Sequence, residues 1–312
     1  MNLTSSQLAL LLAVKQGGSL ARAAEGLGIT SPAVSQQLAK LERDLGALLV
    51  ERGARGAKLT PLGSLLTEHG ERVSAELSRA EETVANYLGA HANRLRLGAF
   101  PSAAVSLLPD GLTALRYRHP EAQLSVIDVP TDGGIDLITS GELDMAITAS
   151  YSGTPSAVDG VRFEHLLSDP LRVVLPDDHP QSQGPASQAV ELTAFEKDAW
   201  ACSITGRPAR TQLNSAAVDS GFVPWVPFQT ESYDVAQALA ASGVAVAFVP
   251  ELALVSGRGT RVRRLKPALA RDVFVALPAS ASHVALAGEL LTILKKTGMA
   301  LHRRQQSAVA LG

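Results

Sequence analysis

The chain has 312 residues, of which 46% are hydrophobic and 19% are charged. This balance is typical of a globular protein, and the length suggests two or three domains. The single cysteine, Cys202, excludes an intramolecular disulfide and a cysteine-based zinc site, and it fits a reducing cytoplasm. No apolar run reaches the roughly 18 residues that a membrane-spanning helix needs. The short apolar stretch 8–14 lacks the flanks of a signal peptide. We therefore expect a cytoplasmic protein that has no membrane partner.

The net charge of −2 is unevenly distributed along the chain. Residues 1–61 contain seven Lys or Arg and four Asp or Glu, which gives +3. Residues 62–93 contain two and five, which gives −3, and the remainder contains 19 and 21, which gives −2. A basic first segment on an otherwise acidic protein is expected when only one domain contacts phosphate.

Residues 1–61 have the pattern of three short helices followed by a hairpin. Thr4 and Gln7 form a capping box, which predicts the start of the first helix. Ser19 is the predicted cap of the second helix. For the third helix we expect Ser31 as the N-cap, with Pro32 at the first helical position. Two short helices joined by a glycine-containing turn predict a helix-turn-helix.

The predicted third helix has one apolar face and one polar face. At 100° per residue, the residues that must face the core are Val34, Leu38, Leu41 and Leu45. The other side has small or hydrogen-bonding groups first and cations further along, and it consists of Pro32, Ser35, Gln36, Ala39, Lys40 and Arg43, with Gln37 on the flank. A helix that enters a major groove needs this order. The alternative is an ordinary solvent-exposed helix face.

Residues 51–60 alternate cations with glycine and alanine. This pattern predicts a tight hairpin whose tip approaches a sugar-phosphate backbone without side-chain bulk. A hairpin with Arg52, Arg55 and Lys58 beside a helix-turn-helix is interpreted as a wing. The alternative is a flexible basic loop with no partner.

Residues 19–42, SLARAAEGLGITSPAVSQQLAKLE, resemble the helix-turn-helix of LysR-type transcriptional regulators. Gly46, Glu51-Arg52, Leu59-Thr60 and Gly63 continue the resemblance, which covers about 45 residues. Two departures are Gln36, where many relatives have arginine, and Leu49-Val50, where an aromatic residue is common. The resemblance implies double-stranded DNA at imperfect palindromes in promoters, and RNA polymerase, as partners. The predicted DNA contacts are Arg22, Thr30, Ser31, Pro32, Ser35, Gln36, Gln37, Lys40, Arg52, Arg55 and Lys58.

Residues 62–91 have apolar side chains at steps of three and four over about four heptads. One apolar seam on so long a helix usually packs against another helix. In the resembled family this is the linker helix, which pairs with the copy in a second chain, so we expect a homodimer or homotetramer. The alternative is a helix that packs on its own chain.

Residues 92–312 alternate predicted strands and helices, among them a strand at Leu171–Leu175 and a helix at Pro250–Val255. This alternation indicates parallel sheets covered by helices and suits two α/β lobes. Arg96–Gly98, Leu108-Pro109, Gly141–Asp144 and Val174–Pro176 resemble the co-inducer domain of the LysR-type family. The resemblance implies a two-lobed α/β effector domain of periplasmic-binding-protein type. Lobe I should span about 92–167 and 269–312, and lobe II about 168–268.

In open α/β sheets a ligand binds beyond the carboxyl ends of the strands. Hydroxyl groups at helix starts, with the free backbone N–H groups there, suit an anion or an amino acid. The predicted effector contacts are Phe100, Ser102, Ala103, Thr131, Thr148, Ala149, Cys202, Ser203 and Thr205. Each hydroxyl residue taken singly is also an ordinary helix cap. Cys202 is a candidate ligand contact or redox sensor, although a lone cysteine in an apolar strand is more often a small buried hydrophobe.

Two other classes of protein are less well supported. An enzyme would need a catalytic or cofactor motif, and the sequence has no His-Glu-x-x-His, Gly-x-Ser-x-Gly, phosphate-binding loop or dinucleotide fingerprint. The seven histidines show no metal-ligand spacing, so we expect no cofactor and no metal. A solute-binding protein would need an export signal and would not explain residues 1–61. The sequence therefore predicts a non-enzymatic, sequence-specific regulator whose DNA binding or bending responds to a small molecule.

Overall fold

The computed structural model describes residues 3–53, 56–87, 93–185, 188–255, 259–279 and 285–310. Contacts divide the chain into two units, Met1–Ala90 with Thr139–Glu142, and His91–Ile138 with Leu143–Gly312. Among the helices within these described ranges, none is long and apolar enough to cross a lipid bilayer.

In its described residues, the first unit contains four helices and a two-stranded antiparallel hairpin. Its elements are α1 (Ser5–Gly17), α2 (Leu20–Leu27), α3 (Ser31–Leu45), β1 (Val50–Gly53), β2 (Gly56–Leu59) and α4 (Pro61–Tyr87). The capping box of Thr4 and Gln7 is present, and Ser19 caps α2 through the amide of Arg22.

The predicted cap of α3 was wrong by one residue. Thr30, not Ser31, is the N-cap, and its hydroxyl accepts a hydrogen bond from the amide of Ala33 at 3.4 Å. Pro32 is therefore the second helical residue, where its missing N–H still breaks no intrahelical bond.

The core of the first unit joins the helices to the hairpin. Leu11, Val34, Leu38 and Leu49 are fully buried within it. The carboxylate of Glu42 on α3 accepts hydrogen bonds from the amides of Leu49 and Val50, at 2.8 and 3.1 Å. These two bonds tie the end of α3 to the start of β1.

The second unit contains ten strands and five α-helices within the described ranges. They are β3 (Arg94–Ala99), α5 (Pro101–Arg118), β4 (Gln123–Asp128), α6 (Ile135–Thr139), β5 (Met145–Ser150), β6 (Val161–Pro176), β7 (Ala189–Glu191), β8 (Ala199–Cys202), α7 (Pro208–Asp219), β9 (Trp225–Gln229), α8 (Tyr233–Ala241), β10 (Val246–Pro250), β11 (Thr260–Lys266), β12 (Ala270–Pro278) and α9 (Ala285–Ala310).

Two half-sheets share the 16-residue strand β6. The first has the order β4-β3-β5-β12-β6, in which β4, β3 and β5 are parallel and β12 is antiparallel to both neighbours. The second has the order β6-β10-β8-β9, with β11 paired to β6 and β7 paired to β11. β6 pairs with β12 up to Pro170 and with β10 from Leu171, so the chain passes from lobe I to lobe II between these residues.

Several predicted elements of the second unit differ from the structure. The strand expected at Leu171–Leu175 is only the second half of β6, and β7 and β11 were not predicted. The helix expected at Pro250–Val255 is a 3-10 turn over Glu251–Ala253. Pro170 inside β6 explains the first error, because proline lacks a donor for the ladder and argues against a central strand.

Candidate functional site

The polar face of α3 is open in the first unit. Val34 and Leu38 are fully buried, whereas the other side of the helix is exposed or half-buried. Its predicted contact residues are exposed at Ser31, Pro32, Gln36, Gln37 and Lys40, and half-buried at Ser35. Because the inward face holds the helix by apolar packing, the outward face is free to present hydrogen-bonding groups and a cation.

The remaining predicted DNA contacts lie around α3. Arg22 on α2, Thr30 before α3 and Lys58 on β2 are exposed. The hydroxyl of Thr30 is already engaged as the cap of α3. Arg55 lies outside the described residues, as does the side chain of Arg52, whose backbone belongs to β1.

The hairpin is held against the turn between α1 and α2. The amide of Ala57 donates a hydrogen bond to the carbonyl of Gly18 at 2.9 Å. Gly56 has a φ of 119°, and a Cβ atom there would lie 2.4 Å from the same carbonyl. A glycine is therefore required at residue 56, since any side chain would push the hairpin away from this turn.

The second unit contains a cleft with a volume of about 680 Å³, which suits a small organic molecule. It opens between the two lobes at the strand ends and helix starts. Its lining includes residues that follow β3 and β4 in lobe I, and the amino ends of α7 and α8 in lobe II. The structure thus has a cavity of suitable size where the rule for open α/β sheets places a ligand.

Four of the nine predicted effector contacts line this cleft: Phe100, Ser102, Thr131 and Ser203. The other five are not among its lining residues: Ala103, Thr148, Ala149, Cys202 and Thr205. The hydroxyl of Thr148 donates to the carbonyl of Thr131 at 2.6 Å, so it fixes the backbone of a lining residue.

A buried ion pair lies below the cleft. Arg271 and Asp169 have no exposed side-chain surface, and a guanidinium nitrogen lies 2.9 Å from the carboxylate. Arg271 also donates to the hydroxyl of Ser102 at 2.8 Å, and its guanidinium carbon lies 4.7 Å from the ring centroid of Phe100. Burial disfavours the charged form of Arg271, but neighbours including Tyr151 and Asp169 outweigh it and raise the pKa. Sequence reasoning missed this pair, since no local pattern marks it.

Two tyrosines meet across the cleft and were also missed. The hydroxyl of Tyr151, which follows β5 in lobe I, lies 3.4 Å from that of Tyr233, the first residue of α8 in lobe II. Burial raises the pKa of Tyr233 well above its ordinary range, so its hydroxyl is neutral near pH 7. Both residues line the cleft and give it two hydroxyl groups.

Four of the described residues that line the cleft are charged: Asp128, Arg207, Glu231 and Asp234. Arg207 makes two long ion pairs, at 3.8 Å to Asp132 in lobe I and at 3.5 Å to Glu231 in lobe II. The carboxylate of Glu231 also accepts a hydrogen bond from the amide of Ile204 at 3.0 Å.

Cys202 belongs to the hydrophobic core of lobe II, beside Trp200 and Phe248. Burial raises the pKa of its thiol to about 12. Within the residues that the structure describes, no group of three or more His, Cys, Asp or Glu side chains is placed to hold a metal ion.

Two sequence models of protein families match the chain. Residues 5–64 match "Bacterial regulatory helix-turn-helix protein, lysR family", and residues 89–298 match "LysR substrate binding domain". The HTH-type transcriptional regulator YdcI of Escherichia coli is 33% identical over 172 residues, which are 55% of this chain and 55% of that relative. The chain thus aligns with about half the length of this relative.

Solved structures share the fold. A full-length variant of OxyR from Pseudomonas aeruginosa has a TM-score of 0.62 at 24% identity, covering 94% of this chain and 98% of that one. Full-length CbnR in complex with its target DNA has a TM-score of 0.62 at 18% identity, covering 95% and 100%. The second family model alone matches more than half of the chain. The chain belongs to the LysR family of bacterial regulatory helix-turn-helix proteins.

Proposed function

We infer that this chain is a sequence-specific DNA-binding transcriptional regulator, and that a small-molecule effector in the cleft modulates its DNA binding or bending. The observation that carries the proposal is the open polar face of α3 opposite an apolar face in which Val34, Leu38 and Leu41 are buried and Leu45 is half-buried. Membership in the LysR family supports the same function. In this proposal residues 1–61 bind DNA, 62–91 dimerise, and 92–312 bind the effector.

The proposed complex with DNA contains two copies of α3 in successive major grooves of an imperfect palindrome. Residues near the amino end of α3, such as Gln36, read base edges, and Lys40 and Lys58 lie over phosphates. The apolar side chains Leu65 and Leu77 of α4 are 55% and 54% exposed, so α4 has apolar surface that a second copy would cover. We propose a homodimer, or a homotetramer of two such dimers.

In this proposal the effector domain is a sensor rather than an enzyme. In the proposal, a ligand that contacts both lobes changes their angle, and this alters DNA bending and the contact with RNA polymerase. No catalytic role, cofactor or membrane contact is assigned, and the proposed location is the cytoplasm.

The experiment that tests this function is a gel shift and footprint on the intergenic region beside the chain's own gene. We expect a salt-sensitive, sequence-specific footprint on a duplex with imperfect two-fold symmetry. Competition with an unrelated duplex of equal length separates specific from general binding. A folded sample with no salt-sensitive affinity for any duplex at low ionic strength would contradict the proposal.

A further inference from the structure

The cleft contains two opposite charges that are close together but only loosely joined. The nearest oxygen of Glu231 lies 3.5 Å from Nε of Arg207, longer than the 2.7–2.9 Å that is typical of strong charge-assisted hydrogen bonds. The side chains are 32% and 49% exposed. A pair of this length and exposure contributes little to stability, so a ligand can separate it at small cost.

Arg271, which lies below the cleft, is not available to a ligand. The guanidinium of Arg271 is fully buried and is already paired with Asp169 and hydrogen-bonded to Ser102. The described residues that line the cleft include one guanidinium, that of Arg207, and three carboxylates. Asp128 and Asp234 are exposed and add negative charge to that of Glu231. A ligand with only negative charge would meet unfavourable electrostatics here.

The rest of the lining is mainly apolar. Lobe I contributes Phe100 and Val105, of which Val105 is 75% exposed. Lobe II contributes Leu254 and Val255, beside Leu252, one proline and two alanines. A ligand that covers these side chains gains free energy from the apolar surface that it removes from water.

We propose that the effector is a small zwitterion of the α-amino-acid type with an apolar side chain. Its carboxylate binds the guanidinium of Arg207, and its ammonium group binds the carboxylate of Glu231. The ligand's own adjacent charges thereby replace the loose contact between these two residues with two charge-assisted hydrogen bonds. Its side chain covers the apolar lining around Val105 and Leu254. This proposal rests on the proposed function, because it names the ligand class of the same cleft.

The test uses calorimetry on the full chain with L-leucine, L-phenylalanine and two derivatives of L-phenylalanine. N-acetyl-L-phenylalanine lacks the ammonium group, and L-phenylalanine amide lacks the carboxylate. We expect L-phenylalanine or L-leucine to bind, and each singly charged derivative to bind about tenfold more weakly than L-phenylalanine. The proposal is overturned if a derivative equals L-phenylalanine, or if neither amino acid binds at millimolar concentration.

Two substitutions assign the charges to residues. In Glu231→Gln the preference for L-phenylalanine over its N-acetyl derivative should disappear, whereas the preference over the amide should remain. In Arg207→Gln the opposite pattern is expected. Glu191→Gln is the matched control, because Glu191 forms an exposed pair with Lys266 at 2.8 Å and does not line the cleft. Unchanged preferences in both cleft variants, with thermal unfolding like that of the control, would overturn the assignment.

A gel shift on the same preparation separates the two proposals. If the amino acids fail to bind while DNA binding is salt-sensitive and specific, only the zwitterion proposal is wrong. If no duplex is bound, the regulator proposal is wrong, whatever the calorimetry shows.

Discussion

The guanidinium of Arg271 lies 2.9 Å from the carboxylate of Asp169, and neither side chain is accessible to solvent. The two residues are direct partners in the register of β12 and β6. They lie next to the two points where the chain crosses between the lobes, at Pro170–Leu171 and before Ala270. Since Arg271 also holds the cleft residue Ser102, this pair links the interlobe strands to the ligand cavity.

Removing one partner of this pair should destabilise the second unit strongly. Asp169→Asn leaves a buried guanidinium without its counter-ion, which costs about 3–5 kcal/mol. Chemical denaturation followed by circular dichroism measures this loss. The double variant Asp169→Leu with Arg271→Met should lose less than Asp169→Asn, because it leaves no buried charge. Glu191→Gln, on an exposed pair, is the control and should leave the denaturation midpoint unchanged. Equal midpoints for Asp169→Asn and the control would contradict this account.

Two helical glycines should respond oppositely to alanine. A Cβ atom at Gly63 in α4 would lie 2.2 Å from the carbonyl oxygen of Leu49, whereas one at Gly288 in α9 meets nothing within 4 Å. Gly63→Ala should therefore destabilise the first unit by about 1–3 kcal/mol through overpacking. Gly288→Ala should be stabilising by about 0.5–1 kcal/mol, because alanine favours the helix. The midpoints of thermal denaturation of the two variants measure these changes. A Gly63→Ala protein as stable as the unmodified chain would show that the backbone at Leu49 moves away more easily than the geometry indicates.

Gln36 on the exposed face of α3 should read a base edge. Gln36→Ala should weaken binding to the specific duplex by about 1–3 kcal/mol and leave non-specific binding nearly unchanged. Quantitative gel shifts on the specific site and on single-base variants of it measure the change. Gln123→Ala, at an exposed glutamine of the second unit, is the matched control. If the Gln36→Ala and Gln123→Ala variants have identical base preferences, Gln36 does not contact a base edge.

Lys58 on β2 should contact phosphate rather than a base. Lys58→Ala should weaken binding to specific and unrelated duplexes alike, and the slope of log K against log salt should become shallower by about 1. The measurement is a fluorescence titration at several salt concentrations. Lys197→Ala removes an exposed lysine of the second unit and serves as the control. If both variants keep the slope of the unmodified chain, the hairpin does not function as a wing at this residue.

Cys202 should be inert in the folded protein. Its pKa is raised to about 12 from an ordinary value of 9.0 by burial, so the reactive thiolate is nearly absent at neutral pH. We expect very slow reaction with Ellman's reagent in buffer and one reactive thiol in denaturant. Because the unfolded state loses this proton first, the thiol's contribution to stability is complete below about pH 9 and is lost as the pH rises towards 12. Rapid labelling of the native chain would contradict this prediction and would support a redox role for Cys202.

Local signals in the sequence were sufficient for much of the first unit. The capping box of Thr4 and Gln7 and the 3.6-residue period of Val34, Leu38 and Leu41 each depend on residues a few positions apart. The error at the start of α3 also concerns neighbouring residues. Thr30 and Ser31 are both good N-caps, and only the backbone geometry shows which of them caps the helix.

The cleft was predicted less completely. Ser102 and Thr131 each lie three residues after the end of a strand, so the rule for α/β sheets found them. Tyr151, Arg207 and Glu231 also lie near strand or helix ends, but aromatic and charged residues there are common, and nothing local marked them as cleft residues.

The sequence by itself determined where most helices begin, which faces of them are apolar, and which family the chain resembles, because these depend on short-range spacing and side-chain chemistry. Only the tertiary structure decided that β6 continues through Pro170 and that Arg271 pairs with Asp169, 102 positions away, and with Ser102, 169 positions away. Contacts at such separations arise when the sheet brings distant segments together and excludes water from them. A pattern within a short stretch of sequence does not show which distant segments will exclude water together.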